Sequence, residues 1–200
     1  MSEPTSAHID IATGSYLVYS DLNILSNDMP AQYFNLSKNG SIPDLIGGCL
    51  WGDKLNKVVY QFGGEFDNTP PDTTFWAYDI ILNQWNETKA QKDLLRPSWG
   101  ASAVAEDLGY GYYLGGWLFN NSVPGWSGGR QALSTMVKFD MNTGIWYNMT
   151  GPDQTGRAEG VMVYLPASDS GLLIYFGGVA TPLGGPTTVG VSHALTLGYP

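Results

Sequence analysis

Two histidines, His8 and His193, and one cysteine, Cys49, are the only imidazole and thiol groups in the chain. A zinc or copper site gathers three or four such ligands at characteristic spacings. Here the histidines stand 185 residues apart, and Cys49 follows Gly47-Gly48 in an apolar run. They read as surface or packing residues, and no metal site is assigned. A lone cysteine forms no internal disulfide. Only Lys54 is near it in sequence, so nothing favours a thiolate, and Cys49 reads as a buried, inert thiol. No P-loop or dinucleotide fingerprint occurs. The expectation is no catalytic residues, no metal and no cofactor.

The carboxylates say more because they recur. Tyr78-Asp79 stands six residues before Trp85, and Phe139-Asp140 six before Trp146. A catalytic carboxylate is needed once, so a repeated one points to a structural duty. The same holds for Arg96 and Arg157, which precede Gly100 and Gly160. Glu106-Asp107 and Asp169 have the composition of solvated turns. Binding chemistry has one better candidate, the stretch 117–134, which carries Trp117, Phe119, Trp126 and Arg130 among Gly, Asn and Ser. Aromatic residues and Arg dominate binding hot spots. Trp117 and Phe119 fit a small core beneath such a loop equally well. Trp126, between Pro124-Gly125 and Ser127-Gly128-Gly129, is expected to be exposed.

The elements that position these residues are marked by glycine pairs. Gly63-Gly64, Gly115-Gly116 and Gly177-Gly178 each close an apolar run: 58–62, 110–114 and 172–176. Such runs read as strands buried on both faces, and glycine after them permits positive φ and close backbone approach. The pairs lie 52 and 62 residues apart, the length of a β-propeller blade. Around them the order repeats: Arg, Gly, apolar strand, Gly-Gly, long variable loop, aromatic-Asp, six residues, Trp.

This joint pattern resembles the kelch repeat and spans roughly residues 44–178. The resemblance implies an all-β fold of four-stranded antiparallel blades. Strands a to d are expected at 46–51, 57–62, 74–80 and 83–88, then at 99–105, 110–114, 135–140 and 144–149. A further blade has strands at 158–165 and 172–176 and a third at 189–197. The chain thus divides into an N-terminal segment with a partial blade (1–43), two blades (44–95 and 96–156) and a partial blade (157–200). Tyr33–Leu36 reads as an outer strand of a preceding blade. A propeller closes with about four to eight blades, so the expected ring is incomplete. Three explanations stand: part of a longer array (favoured), a ring completed by assembly, or an open form. Trp85 and Trp146 are expected to pack between blades.

Within a blade the b–c loops and d–a connections emerge on one face, and the short a–b and c–d turns on the other. Residues 65–74 and 117–134 form long, dissimilar b–c loops, where recognition on a rigid scaffold resides. The expected role is a non-enzymatic binding or scaffold module, meeting a protein or carbohydrate ligand on that face. The resemblance also implies an alternative, a piece of a galactose-oxidase-like copper enzyme. That family's ligands are two Tyr, two His and a Tyr-crosslinked Cys, which do not map onto His8, His193 and Cys49.

Composition narrows the setting. The formal charge is −9, with nine Lys and Arg, which argues against nucleic acid and anionic membranes as partners. No stretch approaches 18 apolar residues, so no membrane span is expected. Sequons occur at Asn35, Asn39, Asn86, Asn120 and Asn148, against about two by chance. They favour a secreted or cell-surface glycoprotein, although the first 25 residues show no signal peptide. The alternative is a cytosolic interaction module.

Overall fold

The computed structural model describes residues 17–19, 25–26, 29–30, 34–36, 42–67, 69–71, 74–89, 91, 93–167, 170–181, 189–190 and 194–198. All regular structure among them is β. Strands β1 (Leu17–Tyr19), β2 (Leu25–Ser26), β3 (Met29–Pro30) and β4 (Phe34–Leu36) come first, with β1 antiparallel to β4. They are followed by β5 (Leu45–Ile46), β6 (Cys49–Asp53), β7 (Val58–Phe62), β8 (Glu65–Phe66), β9 (Thr74–Asp79) and β10 (Gln84–Lys89). The second repeat holds β11 (Ala101–Ala105), β12 (Tyr110–Leu114), β13 (Trp117–Leu118), β14 (Gln131–Ala132), β15 (Met136–Asp140) and β16 (Ile145–Met149). The third holds β17 (Gly156–Ala158), β18 (Val161–Leu165), β19 (Leu172–Phe176), β20 (Val179–Thr181), β21 (Val189–Gly190) and β22 (Ala194–Gly198).

Two four-stranded antiparallel blades result, β6-β7-β9-β10 and β11-β12-β15-β16, with a third sheet β18-β19-β22. The innermost strands β6, β11 and β18 pack in that order, and the described sheets do not close into a ring. Three of the blade turns are held by an Asp. Asp79 Oδ1 accepts from the backbone N–H of Ile81 and Leu82 at 2.9 and 2.8 Å. Asp140 repeats this with Asn142 and Thr143, and Asp53 with Leu55 and Asn56. These are Asx turns, the structural duty expected of a recurring carboxylate.

The core lies between blades. Trp51, Phe62 and Phe75 of the first blade meet Tyr113, Val137, Phe139 and Trp146 of the second, with Trp146 stacked on Phe139 at 4.2 Å. Gly111 makes room for the Trp51 indole, since a Cβ there would stand 2.5 Å from the ring. Between the second blade and the third, Ala101, Ala103, Ala105, Tyr112 and Leu114 face Met162, Leu173 and Tyr175. Tyr113 ties backbone to backbone: its hydroxyl accepts from Gly100 N–H at 2.7 Å and donates to the Pro97 carbonyl at 3.0 Å.

Three expectations need correction. Of the three apolar runs, only β12 is buried along almost its whole length, because it alone has a described blade on both sides. β7 is largely half-buried and β19 alternates, ending in exposed Phe176. Trp85 and Trp146 share a register, opposite Tyr78 and Phe139, yet only Trp146 is deeply buried, at 8% exposure. Trp85 is half-buried against Tyr78, 5.3 Å away, on the side of its blade that no described blade covers. The first inner strand begins at Cys49, because Leu45–Ile46 pairs instead with Glu65–Phe66. The other strands fall within about three residues of expectation, except that the strand expected at 189–197 begins only at Ala194, because Val189–Gly190 pairs instead with β20. The segment 34–36 is a strand paired with 17–19. His8, Asn39 and His193 lie outside the described residues.

Candidate functional site

A second tier of pairing builds the site. Just before each inner strand, the connector residue pairs with the residue that follows the glycine pair: Ile46 with Glu65, Ser98 with Trp117, and Ala158 with Val179. One residue further on, the backbone turns left-handed in all three repeats, at Gly47 (φ 63°), Trp99 (58°) and Glu159 (61°). The turns are chained together: Trp99 N–H donates to the Gly47 carbonyl and Glu159 N–H to the Trp99 carbonyl, both at 2.6 Å. Left-handed non-glycine residues cost free energy and cluster at functional sites.

The glycine pairs serve the same junction. All six glycines have positive φ. Gly64 N–H donates to the Pro97 carbonyl and Gly116 N–H to that of Arg157, so the first two pairs each clasp the next repeat. A Cβ on Gly115 would run into the Arg157 carbonyl. Close backbone approach is therefore the reason for glycine here.

The result is an open depression of about 640 Å³ at the inner ends of the blades. Its floor is backbone at Gly47, Gly48, Gly100 and Gly160, and its polar walls are Glu65, Trp99, Arg130 and Glu159. Trp99 lies against Gly47, where a Cβ would stand 2.5 Å from the indole, and donates its Nε1–H to Glu65 Oε1. One repeat later the partners exchange places. Trp117 Nε1–H donates to Glu159 Oε1 at 2.8 Å, and Arg130 pairs with the same oxygen at 3.3 Å. The Arg130 guanidinium sits over the Trp117 ring, 4.2 Å from its centroid, within cation–π range.

No family model matches the chain. A curated Kelch repeat-containing protein of Arthroderma benhamiae (strain ATCC MYA-4681 / CBS 112371) is 30% identical over 62% of this chain. The chain spans a quarter of that relative's length. Equivalent glycine pairs, Asx turns and tryptophans in successive antiparallel blades agree with that likeness. The blades are of the kelch type. A solved structure titled "Structure of YjhT" is similar at 22% identity, with a TM-score of 0.48, over 70% of this chain and 35% of that one.

Of the residues picked from sequence, the kelch scaffold brings two together. Arg130 lines the depression and covers Trp117, whose 4% exposure makes it a support for the site rather than an open platform. Phe119 packs half-buried beside it, in a small cluster with Ala132, Ala158 and Val179. Trp126 is half-buried rather than exposed as expected, because its indole folds back on its own loop and donates its Nε1–H to the Gly129 carbonyl at 3.1 Å. That loop is braced on the first blade, where Phe66 N–H donates to the Asn121 carbonyl. Glu65, Trp99 and Glu159 were missed. A usable signal was present: Trp99 and Glu159 each precede the glycine that opens an inner strand, and Glu65 follows a glycine pair.

Other expected features find their places. Asn86, Asn120 and Asn148 are exposed, while Asn35 lies within β4, where only the backbone is described. The hydroxyl of Ser122, third residue of the Asn120 sequon, is turned inward and donates to the carbonyls of Trp117 and Phe119. Burial pushes the Cys49 thiol well above its ordinary range, against weaker opposing hydrogen bonds from Ser102 and Phe62. Arg157 braces its own connector through two bonds to Asp153, at 2.6 and 2.8 Å. Arg96 is buried and donates to the Pro71 carbonyl.

Proposed function

We propose that this kelch segment is a non-enzymatic binding module of a secreted or cell-surface protein, and that its protein or carbohydrate partner is met on the b–c loop face. The observation that carries this reading is the convergence of Glu65, Trp99, Arg130 and Glu159 on one open depression, beside the long loop that presents Trp126. A depression of this volume lies within the ordinary range of ligand sites. Its residues come from the two blades and the connection to the third, so the scaffold fixes their spacing. Indole, carboxylate and guanidinium groups supply apolar surface, acceptors and donors without a nucleophile–base pair, which suits recognition rather than turnover.

Photo-crosslinking from two positions tests this. A photoreactive side chain in place of Trp126, on the full-length protein, is expected to capture a partner. The same group at Leu82, exposed in the c–d turn on the opposite face, is expected to capture none. Equal capture from both positions would overturn the face assignment. The secreted setting has its own measurement: protein isolated from its native source should lose mass on N-glycosidase treatment, with glycans at Asn86, Asn120 or Asn148. No loss of mass would sink it.

A further inference from the structure

The two indole–carboxylate pairs differ in one respect. In the Trp117–Glu159 pair, Arg130 lies over the indole and against the carboxylate. In the Trp99–Glu65 pair the indole N–H grips the carboxylate in the same way, and among the described residues no cation pairs with Glu65. Glu65 and Trp99 line the same depression as Arg130 and Glu159, with Trp117 buried behind them. The chain's own arginine thus shows what this constellation holds: a planar cation stacked on indole, with the carboxylate at its edge.

We infer that the Trp99–Glu65 pair is a receptor for a guanidinium group, an arginine side chain of the partner being its natural form. This rests on the depression being a binding site and specifies what enters it. The N–H of Trp99 fixes the Glu65 carboxylate, which keeps free lone pairs to accept from the incoming group as Glu159 does from Arg130, while the indole π-face attracts the cation. Guanidinium suits the site better than ammonium because it is planar, stacks on aromatic rings and is more weakly hydrated. The charge balance of the depression agrees: two carboxylates against one guanidinium, which is already paired with Glu159.

The test uses the full-length protein and three small probes: N-acetyl-arginine amide, its neutral isostere N-acetyl-citrulline amide, and N-acetyl-lysine amide. Titration is followed by calorimetry and by the indole N–H resonance of Trp99, assigned through Trp99→Phe. The arginine probe is expected to shift that resonance saturably and to bind at least 10-fold tighter than the citrulline probe, with lysine between them. Glu65→Gln keeps an acceptor for the indole N–H, so the fold should survive, and it should weaken the arginine probe at least 10-fold. Arg130→Ala removes a like charge and should leave affinity equal or higher. Equal affinity for arginine and citrulline, indifference to Glu65→Gln, or an unmoved Trp99 resonance would each overturn the inference. If the arginine probe fails while crosslinking from position 126 still captures a partner, the face stands and only the guanidinium assignment falls. If the probe binds and crosslinking shows no face preference, the reverse holds.

Discussion

Trp99 and Glu159 carry a backbone conformation that costs them free energy and a side-chain position that repays it. Both are left-handed, and both reach back to the residue after the preceding repeat's glycine pair. Gly115 shows the opposite solution, a left-handed residue with no side chain because a carbonyl occupies the space. Gly115→Ala is expected to lose about 1–3 kcal/mol from backbone strain alone, with the clash against Arg157 adding to it. Urea unfolding measures this, and a midpoint equal to that of the parent chain would refute the close-approach argument. Trp126 is different in kind, since its contacts lie within its own loop. Trp126→Ala should leave the urea midpoint nearly unchanged and weaken partner binding by about 1–3 kcal/mol. A drop in stability with unchanged binding would make it a loop brace instead.

At the scale of strands and connectors, neighbours decide what a repeated residue is worth. Trp146 is enclosed by Trp51, Phe62, Phe75 and Phe139 from two blades, whereas the described contacts of Trp85 are with Tyr78 of its own blade. Trp146→Ala is therefore expected to cost about 3–5 kcal/mol and Trp85→Ala clearly less. Equal losses in denaturant would show that Trp85 has a comparable covering. The connector before β17 has a pH signature. Its Arg157 partner holds the Asp153 carboxyl down to about 2, against an ordinary value of 3.8. A depressed folded-state value means that the contribution is present above pH 4 and is lost as pH falls from about 4 through 2. Asp153 is substantially exposed, so solvent screening keeps the effect small. Acid unfolding of Asp153→Asn should show a shallower loss over that window; an unchanged slope would exclude the pair as its source.

For the whole molecule, the two outer blade faces matter most. Leu50, Ile80 and Val18 are exposed on the first blade's side, where with Tyr78 they border a groove of about 570 Å³. Val161, Val163, Leu165 and Phe176 are exposed on the third sheet. Contiguous apolar surface of this kind drives association. Expressed as these 200 residues, the chain is expected to elute as oligomers or aggregates, and Val161→Lys with Val163→Lys to shift it toward the monomer. Light scattering coupled to size-exclusion chromatography reads both. A compact monomer at the outset would mean that those faces are covered.

Local chemistry made much of this legible from the chain alone. Strand positions followed from apolar runs ended by Gly-Gly, a structural duty for Asp79 and Asp140 from their recurrence, and the blade order from the 52- and 62-residue spacings, because each depends on residues close together in sequence. The recurring Asp and Arg make local contacts to turns and connectors. What only the tertiary structure decided is how residues distant in sequence meet. Glu65 and Trp99 are 34 residues apart, and Trp117 and Glu159 are 42. Their pairing depends on a left-handed turn that carries no consistent residue type: glycine, tryptophan and glutamate occupy it in turn. Burial was non-local too. The runs at 58–62, 110–114 and 172–176 look alike, yet only the middle one is enclosed, since a strand's burial is set by the blades beside it and not by its own side chains.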